Sequence, residues 1–168
     1  MDGVRVPAAH LCGELHMGFV NTMQVLEGGR IAMAAMAVGI AQGALDQALR
    51  YMKQRRAFGR TLAEFDGLQG MIADMGTEVE AARLLTLRAA ALKDRGQPAR
   101  LAASMAKVFA SEVAMKAATK SLQIHGGAGY ITEFPIERMF RDAKLTEIGE
   151  GTSEVQRMVI ARDLLGFR

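Results

Sequence analysis

Between Gly29 and about Arg56, Ile31, Met33, Met36, Ile40, Leu45, Leu49 and Met52 recur at helical spacing on one broad face. Ala32, Ala34, Ala35, Ala37, Gly39, Ala41, Gly43 and Ala44 fill the positions between them. The pattern predicts a single helix about 40 Å long. Half of the residues are hydrophobic, yet only 5% are aromatic and Trp is absent. Ala, Leu and Met, all good helix formers, carry the apolar content. Proline occurs only at Pro7, Pro98 and Pro135. A rod of this kind in such a composition points to helices, not to a sheet.

The next break falls at "FGRTLAEF", where Thr61 and Glu64 match a capping box. A second helix is expected from there to about Asp94, with Leu68, Met71, Ile72, Met75, Val79, Ala82 and Leu85 on its inner face. "RGQP" ends it, and Pro98 suits the first turn of a third helix. That helix carries Leu101, Met105, Val108, Phe109, Met115 and Leu122 and stops at "HGGAGY". A short helix around Ile136 to Arg141 follows. A last one starts at Ser153, where Ser153 and Gln156 also match a capping box. The expected fold is all-α: an antiparallel up-and-down four-helix bundle with a short extra helix. Its interior is rich in Ala, Gly and Met, and the long helices have a second face to bury against another subunit.

Residues 1–18 differ from the rest. "VRVPAAHLCGE" is a short extended piece interrupted by Pro7 and Gly13, and it reads as the tail of a preceding β-domain. Residues 19–168 then form the helical domain. A net charge of +3 with interspersed signs does not argue for nucleic acid and tolerates an anionic cofactor or substrate. The one cysteine, Cys12, leaves no internal disulfide. The longest uncharged apolar stretch, Ile31 to Leu45, falls short of the ~20 residues of a membrane span. No basic region leads into an apolar run at the N-terminus. The expectation is a soluble, cytoplasmic protein. His10, His16 and His125 are too scattered to suggest a metal site.

Four stretches carry polar residues that a bare bundle does not need. "LEGGR" places Glu27 and Arg30 at the expected start of the first long helix, where an acid favours the dipole. "KQRRAFGR" gathers Arg55, Arg56 and Arg60 beside Phe58. Basic residues compensate a helix C-terminus, and arginine forks also clamp phosphate and cover rings. "QIHGGAGY" offers glycines that end a helix in the left-handed conformation or line up N–H groups for a pyrophosphate. "IGEGTSEVQ" sets Glu150 between two glycines just outside a helix. That placement suits a reacting base and equally an ordinary loop.

In this order and spacing, "LEGGRIAMAAMAVGIAQGALDQAL", "QRRAFGR", "QIHGGAGY" and "ERMFRDAKLTEIGEGTSEVQR" resemble the C-terminal helical domain of flavin-dependent acyl-CoA dehydrogenases. The resemblance covers the chain from Val6 onward, and the run from Arg138 to Arg157 is its most specific part. It implies that Glu150 removes the α-proton of an acyl-CoA thioester while the β-hydrogen passes to FAD, giving a 2-enoyl-CoA. It implies electron-transferring flavoprotein as acceptor. Gly151 is implied as a substrate contact, and Thr152, Ser153 and Glu154 as flavin contacts. Arg55, Arg56, Ala57 and Phe58 are implied at the adenylate and pyrophosphate end of FAD. Gln123, Ile124, His125, Gly126 and Gly127 form a backbone platform for it. These last two stretches commonly serve a neighbouring subunit's FAD, which implies a homo-dimer or homo-tetramer. Glu27, Gly28, Gly29 and Arg30 fall where the CoA portion is held.

This sequence departs from the family pattern in three places. Glu27 stands where Asp is usual. Asp66 stands where Gln usually meets FAD, and its carboxylate repels phosphate. Gly149 stands where some members carry a bulky aromatic, leaving room for a larger acyl group. The family's N-terminal helical domain and middle β-domain have no counterpart in residues 19–168, so the 168-residue chain alone is expected to be inactive. Two further readings compete: a non-catalytic helical subunit lending FAD contacts to a partner dehydrogenase, and an acyl-CoA oxidase.

Overall fold

A computed structural model describes residues 2–167. Five helices make the body: α1 (Gly18–Gln54), α2 (Asp66–Asp94), α3 (Arg100–His125), α4 (Ile136–Ile148) and α5 (Ser153–Leu164). The fold is all-α, apart from one two-stranded hairpin of β1 (Arg56–Ala57) and β2 (Arg60–Thr61). The first three helices run up, down and up. Tyr51 stacks on His125 and Arg30 meets Ser104, so α1 and α3 are parallel. Arg83 donates to Gln42, and Lys120 to Asp74, so α2 opposes both.

The fourth, descending position is shared by two helices in series. Lys107 on α3 reaches the Glu147 carbonyl near the end of α4, while Arg100 and Glu112 meet Asp163 and Arg157 on α5. Both segments therefore run against α3, and the step between them is Gly149–Glu150–Gly151. The short helix expected to end at Arg141 continues to Ile148.

α1 starts eleven residues before the expected Gly29 and lasts 37 residues. Among the described residues it is the one helix long and apolar enough, by length and composition, to cross a membrane. The 31–45 stretch judged too short by sequence is only its middle. Its buried stripe faces the bundle and consists mainly of alanines: Ala34, Ala37, Ala41, Ala44 and Ala48. They lie against an α3 buried at Ala103, Ala106, Ala110, Ala114 and Ala117. The larger residues expected to form the inner face mostly flank this seam, and Met36 is exposed. Small side chains let two long helices approach at the low end of the usual 8–10 Å spacing. A larger residue in the seam costs roughly 1–3 kcal/mol in overpacking. On α2 the stripe is Met75, Val79, Ala82, Thr86 and Ala89, at regular 3 and 4 steps.

Helix ends follow local chemistry. Thr61 and Glu64 do form a capping box, but it closes a single 3-10 turn, Leu62–Glu64, ahead of α2. Pro98 lies outside α3, whose N-cap is Ala99. Before α1, residues 2–17 are exposed and hold only a 3-10 turn, Ala8–His10.

Candidate functional site

Glu150 sits on the step in the descending helix. Its φ of 57° is left-handed, as is the 89° of Gly151. Thr152 caps α5 by accepting from the Val155 N–H, so Ser153 is the first helical residue and not the cap expected from sequence. Gln156, the other half of that expected box, is fully buried and turns back to the step. Its amide nitrogen donates to the Glu150 carbonyl (3.1 Å) and the Gly151 carbonyl (3.2 Å).

The Glu150 carboxylate lies directly on α1 at Gly29. A Cβ there would be 2.7 Å from the carboxylate carbon and closer still to one oxygen. Gly28 and Gly29 therefore do not open the helix; they lie well inside it, and the bare backbone at Gly29 admits the acid. Gly28 faces Lys93 on α2 instead. This moves Glu27 away from a helix N-terminus, so the expected dipole argument does not apply to it. The space beside Gly149 is filled: a Cβ there would meet the Met33 methyl at 2.8 Å.

Beneath the carboxylate is Arg30, buried and donating to the Ser104 hydroxyl at 3.3 Å. Burial pulls its guanidinium below the ordinary value. Glu27 and Glu150 oppose that shift, and Arg100 adds to it. Its Nε is buried without a partner among the described residues. Lys107, which sequence reasoning passed over, is wholly buried and donates to the Glu147 carbonyl at 3.0 Å. Burial lowers its pKa as well, against Glu147 and Glu154. The available signal was a lone lysine in the alanine stripe, four residues after Ala103 and three before Ala110.

On the other side of the step, Thr152, Ser153 and Glu154 line a polar cavity of about 250 Å³ with Lys144 and Arg157. Ser153 Oγ is buried with no partner among the described residues. The Glu154 backbone N–H and the Thr152 hydroxyl hold the Glu154 carboxyl below its ordinary value.

The remaining expected residues gather at the far end of α1. Arg55 caps that helix and lines a cavity of about 390 Å³ with Tyr51, Leu62, Gly126 and Gly127. α3 ends there because Gly126 turns left-handed at φ 57°. Ile124 and His125 point their side chains into the core. His125 stacks on Tyr51 at 4.3 Å and its Nδ1 lies 2.7 Å from the Ser121 carbonyl. Only their backbone can face a ligand, beside the exposed Gln123, Gly126 and Gly127.

The hairpin turns at Phe58 and Gly59, both at positive φ (50° and 83°), the arrangement of a tight hairpin turn. Arg56 braces it by donating to the Gly59 carbonyl. Arg60 covers the ring of Phe65 at 3.9 Å, not Phe58. Phe58 is left 95% exposed at the hairpin tip. Ala57 and Phe58 border a cavity of about 740 Å³ with Asp66, which opens α2 where an acid suits the dipole.

A guanidinium beside bare backbone N–H groups suits the diphosphate of FAD, and the unpartnered Ser153 hydroxyl at a helix N-terminus suits a further acceptor. The residues fit that cofactor. They fall in two groups, however, because Arg30 and Arg55 are separated by 25 residues of α1, or about 37 Å. Among the described residues, no three His, Cys, Asp or Glu side chains gather as a metal site.

Residues 16–165 match the family model for the acyl-CoA dehydrogenase C-terminal domain. The chain is 53% identical over 165 residues to "Probable acyl-CoA dehydrogenase YngJ" of Bacillus subtilis, covering 98% of this chain and 43% of that protein. It is 48% identical over 165 residues to the caffeyl-CoA reductase-Etf complex subunit CarC of Acetobacterium woodii, covering 98% and 44%. The butyryl-CoA dehydrogenase structure from Megasphaera elsdenii superposes with a TM-score of 0.94 at 48% identity, covering 95% and 42%. The chain thus spans less than half the length of the curated relatives it matches.

Proposed function

Because the chain belongs to the acyl-CoA dehydrogenase family, matching its C-terminal domain, we propose that it supplies the general base for α,β-dehydrogenation of an acyl-CoA thioester to a 2-enoyl-CoA, with Glu150 as that base. The observation that carries this reading is the Glu150 carboxylate, laid on the bare backbone of Gly29 beside the buried Arg30. A base must be held within reach of one proton, and the left-handed step between two helices aims this one. Arg30 faces both Glu27 and Glu150. When Glu150 takes up the α-proton and loses its charge, the guanidinium keeps Glu27 as a counter-charge. Gly151 and the Glu27–Arg30 turn of α1 bound the thioester side of this site.

FAD, when bound, supplies the acceptor for the β-hydrogen and its electron pair. Thr152, Ser153 and Glu154 hold the cofactor next to Glu150, while Arg55, Arg56, Ala57, Phe58 and the Gln123–Gly127 backbone bind an adenylate and diphosphate. Asp66 sits at that end as a carboxylate and is the weakest contact of the set. Some 37 Å of α1 is more than one cofactor bridges while also reacting at Glu150. The Arg55 end therefore serves the FAD of a second copy, and the working unit is a homo-dimer or homo-tetramer. Electron-transferring flavoprotein is the proposed acceptor, supported by the name of the Acetobacterium woodii relative. That name also favours a second reading in which the same carboxylate returns a proton to the α-carbon during reduction of an enoyl-CoA.

Residues 2–17, exposed and without a long element, fit the exit of a preceding β-domain. The wall opposite Glu150 then comes from the part of the relatives that this chain does not span, and turnover requires it. Glu150→Gln in the intact flavoenzyme tests the assignment. Turnover is expected to fall about 10²–10⁴-fold with acyl-CoA binding retained, whereas unchanged turnover would remove Glu150 as base. Hydrogen peroxide formed in step with product would favour an oxidase.

A further inference from the structure

Two consecutive left-handed residues, Glu150 and Gly151, make the step between α4 and α5. Glycine adopts that conformation freely; an L-glutamate is disfavoured there and persists only where its surroundings over-determine it. Gln156 supplies the determination. It is fully buried, and its Nε2 donates to the carbonyls of both left-handed residues, at 3.1 and 3.2 Å. A Cβ on Gly151 would lie 2.6 Å from that nitrogen, so the bareness of Gly151 makes room for the amide. The Gln156 Oε1 is buried without a partner among the described residues. Among the described residues it is the donor end of the amide that makes the contacts. From the opposite side Lys107 holds the Glu147 carbonyl. The backbone is clamped on both flanks of the acid.

We infer that Gln156 is a positioning residue for the base: its amide pins the Glu150 and Gly151 carbonyls and so fixes the backbone rotation that lays the Glu150 carboxylate on Gly29. The inference rests on the reading of Glu150 as base.

The test uses the intact FAD-loaded enzyme, with active sites counted by flavin content so that a loss of folded protein does not register. Gln156→Met keeps the side-chain length and removes the donor. Gln156→Glu keeps the shape and replaces the donor by an acceptor. Each is expected to lower kcat about 10- to 100-fold at unchanged KM, since a misplacement on the order of 1 Å costs about that much. Exchange of the substrate α-hydrogen with D2O, read by mass spectrometry of recovered acyl-CoA, should fall by the same factor. A merely structural glutamine would leave kcat and exchange per flavin unchanged, and that result overturns the inference. If the Met variant fails to fold, the Glu variant decides. Glu150→Gln runs alongside. Exchange lost there but intact in the Gln156 variants rejects the role of Gln156 alone. Exchange surviving in Glu150→Gln rejects the base and the inference together.

Discussion

The position of the Cβ that Gly29 lacks is taken by the carboxylate of Glu150, whose carbon lies 2.7 Å from it. Gly29→Ala therefore separates stability from function. Alanine inside a helix is favoured over glycine by roughly 0.5–1 kcal/mol, so the melting temperature should hold or rise by up to about 4 °C. The new methyl pushes the carboxylate off its seat, and a shift on the order of 1 Å lowers kcat about 100-fold. Thermal melts and turnover of one preparation check both halves. Full turnover would break the link between the glycine and the acid.

Lys107→Met should flatten the alkaline limb of stability. Burial holds the Lys107 ammonium below its ordinary 10.5. Between that lowered value and 10.5 the unfolded chain binds more protons than the folded one, so stability rises with pH across this window. The Met variant lacks that rise. It also leaves the Glu147 carbonyl unpaired, a cost of about 1–3 kcal/mol offset in part by removal of a buried charge. Urea unfolding of both proteins near pH 8 and near pH 10 compares the slopes; equal slopes would reject the assignment.

Acid should loosen the hairpin before the bundle. The backbone N–H of Thr61, and then its hydroxyl, hold the Glu64 carboxyl below its ordinary 4.5. A carboxylate with a depressed folded pKa contributes fully above 4.5, and its contribution is lost as pH falls through the folded value. The Thr61 amide, 2.8 Å from Glu64 Oε1, should lose hydrogen-exchange protection in that range. Glu64→Ala should show the unprotected amide at every pH.

Met33 fills the space beside Gly149, next to the Glu150 step. Its methyl occupies the space that a side chain at 149 would need. Met33→Ala is expected to shift kcat/KM toward longer or branched acyl-CoAs by about tenfold, the worth of one or two methylenes in an apolar pocket. For a half-buried methionine the cost to stability is about 1–2 kcal/mol. Kinetics with straight and branched thioesters decide the matter, and an unchanged preference would discard it.

The bundle was legible because α2 and α3 end where Gly and Pro interrupt a clear 3.6 period, as at "RGQP" and "HGGAGY". The start of α1 was not, because Gly28–Gly29 reads as a break. The sequence does not show that a glycine can sit mid-helix to admit an acid 121 residues later. The alanine seam was misread for a related reason: periodicity marks a face, but close helix approach rewards the smallest residues on it. Ser153 and Gln156 have capping-box spacing, yet the hydroxyl is buried and the amide turns outward from α5 to the step. Glu150 was legible as a candidate from its glycine neighbours and from family resemblance. Lys107 acts through a hydrogen bond to a carbonyl 40 residues on, and Gln156 reaches back five and six residues to carbonyls whose left-handed placement the capping-box spacing does not reveal.

α1 carries Arg30 and ends at the cap residue Arg55, and from Arg30 to Met52 its buried stripe packs on the bundle. Its two ends are consequently locked in phase as well as in distance. Adding or removing a single residue between them would turn one end by about 100° relative to the other and shift it by about 1.5 Å. The alanine seam would lose register at the same time. The segment between these arginines should therefore tolerate exchanges of side chain far better than changes of length.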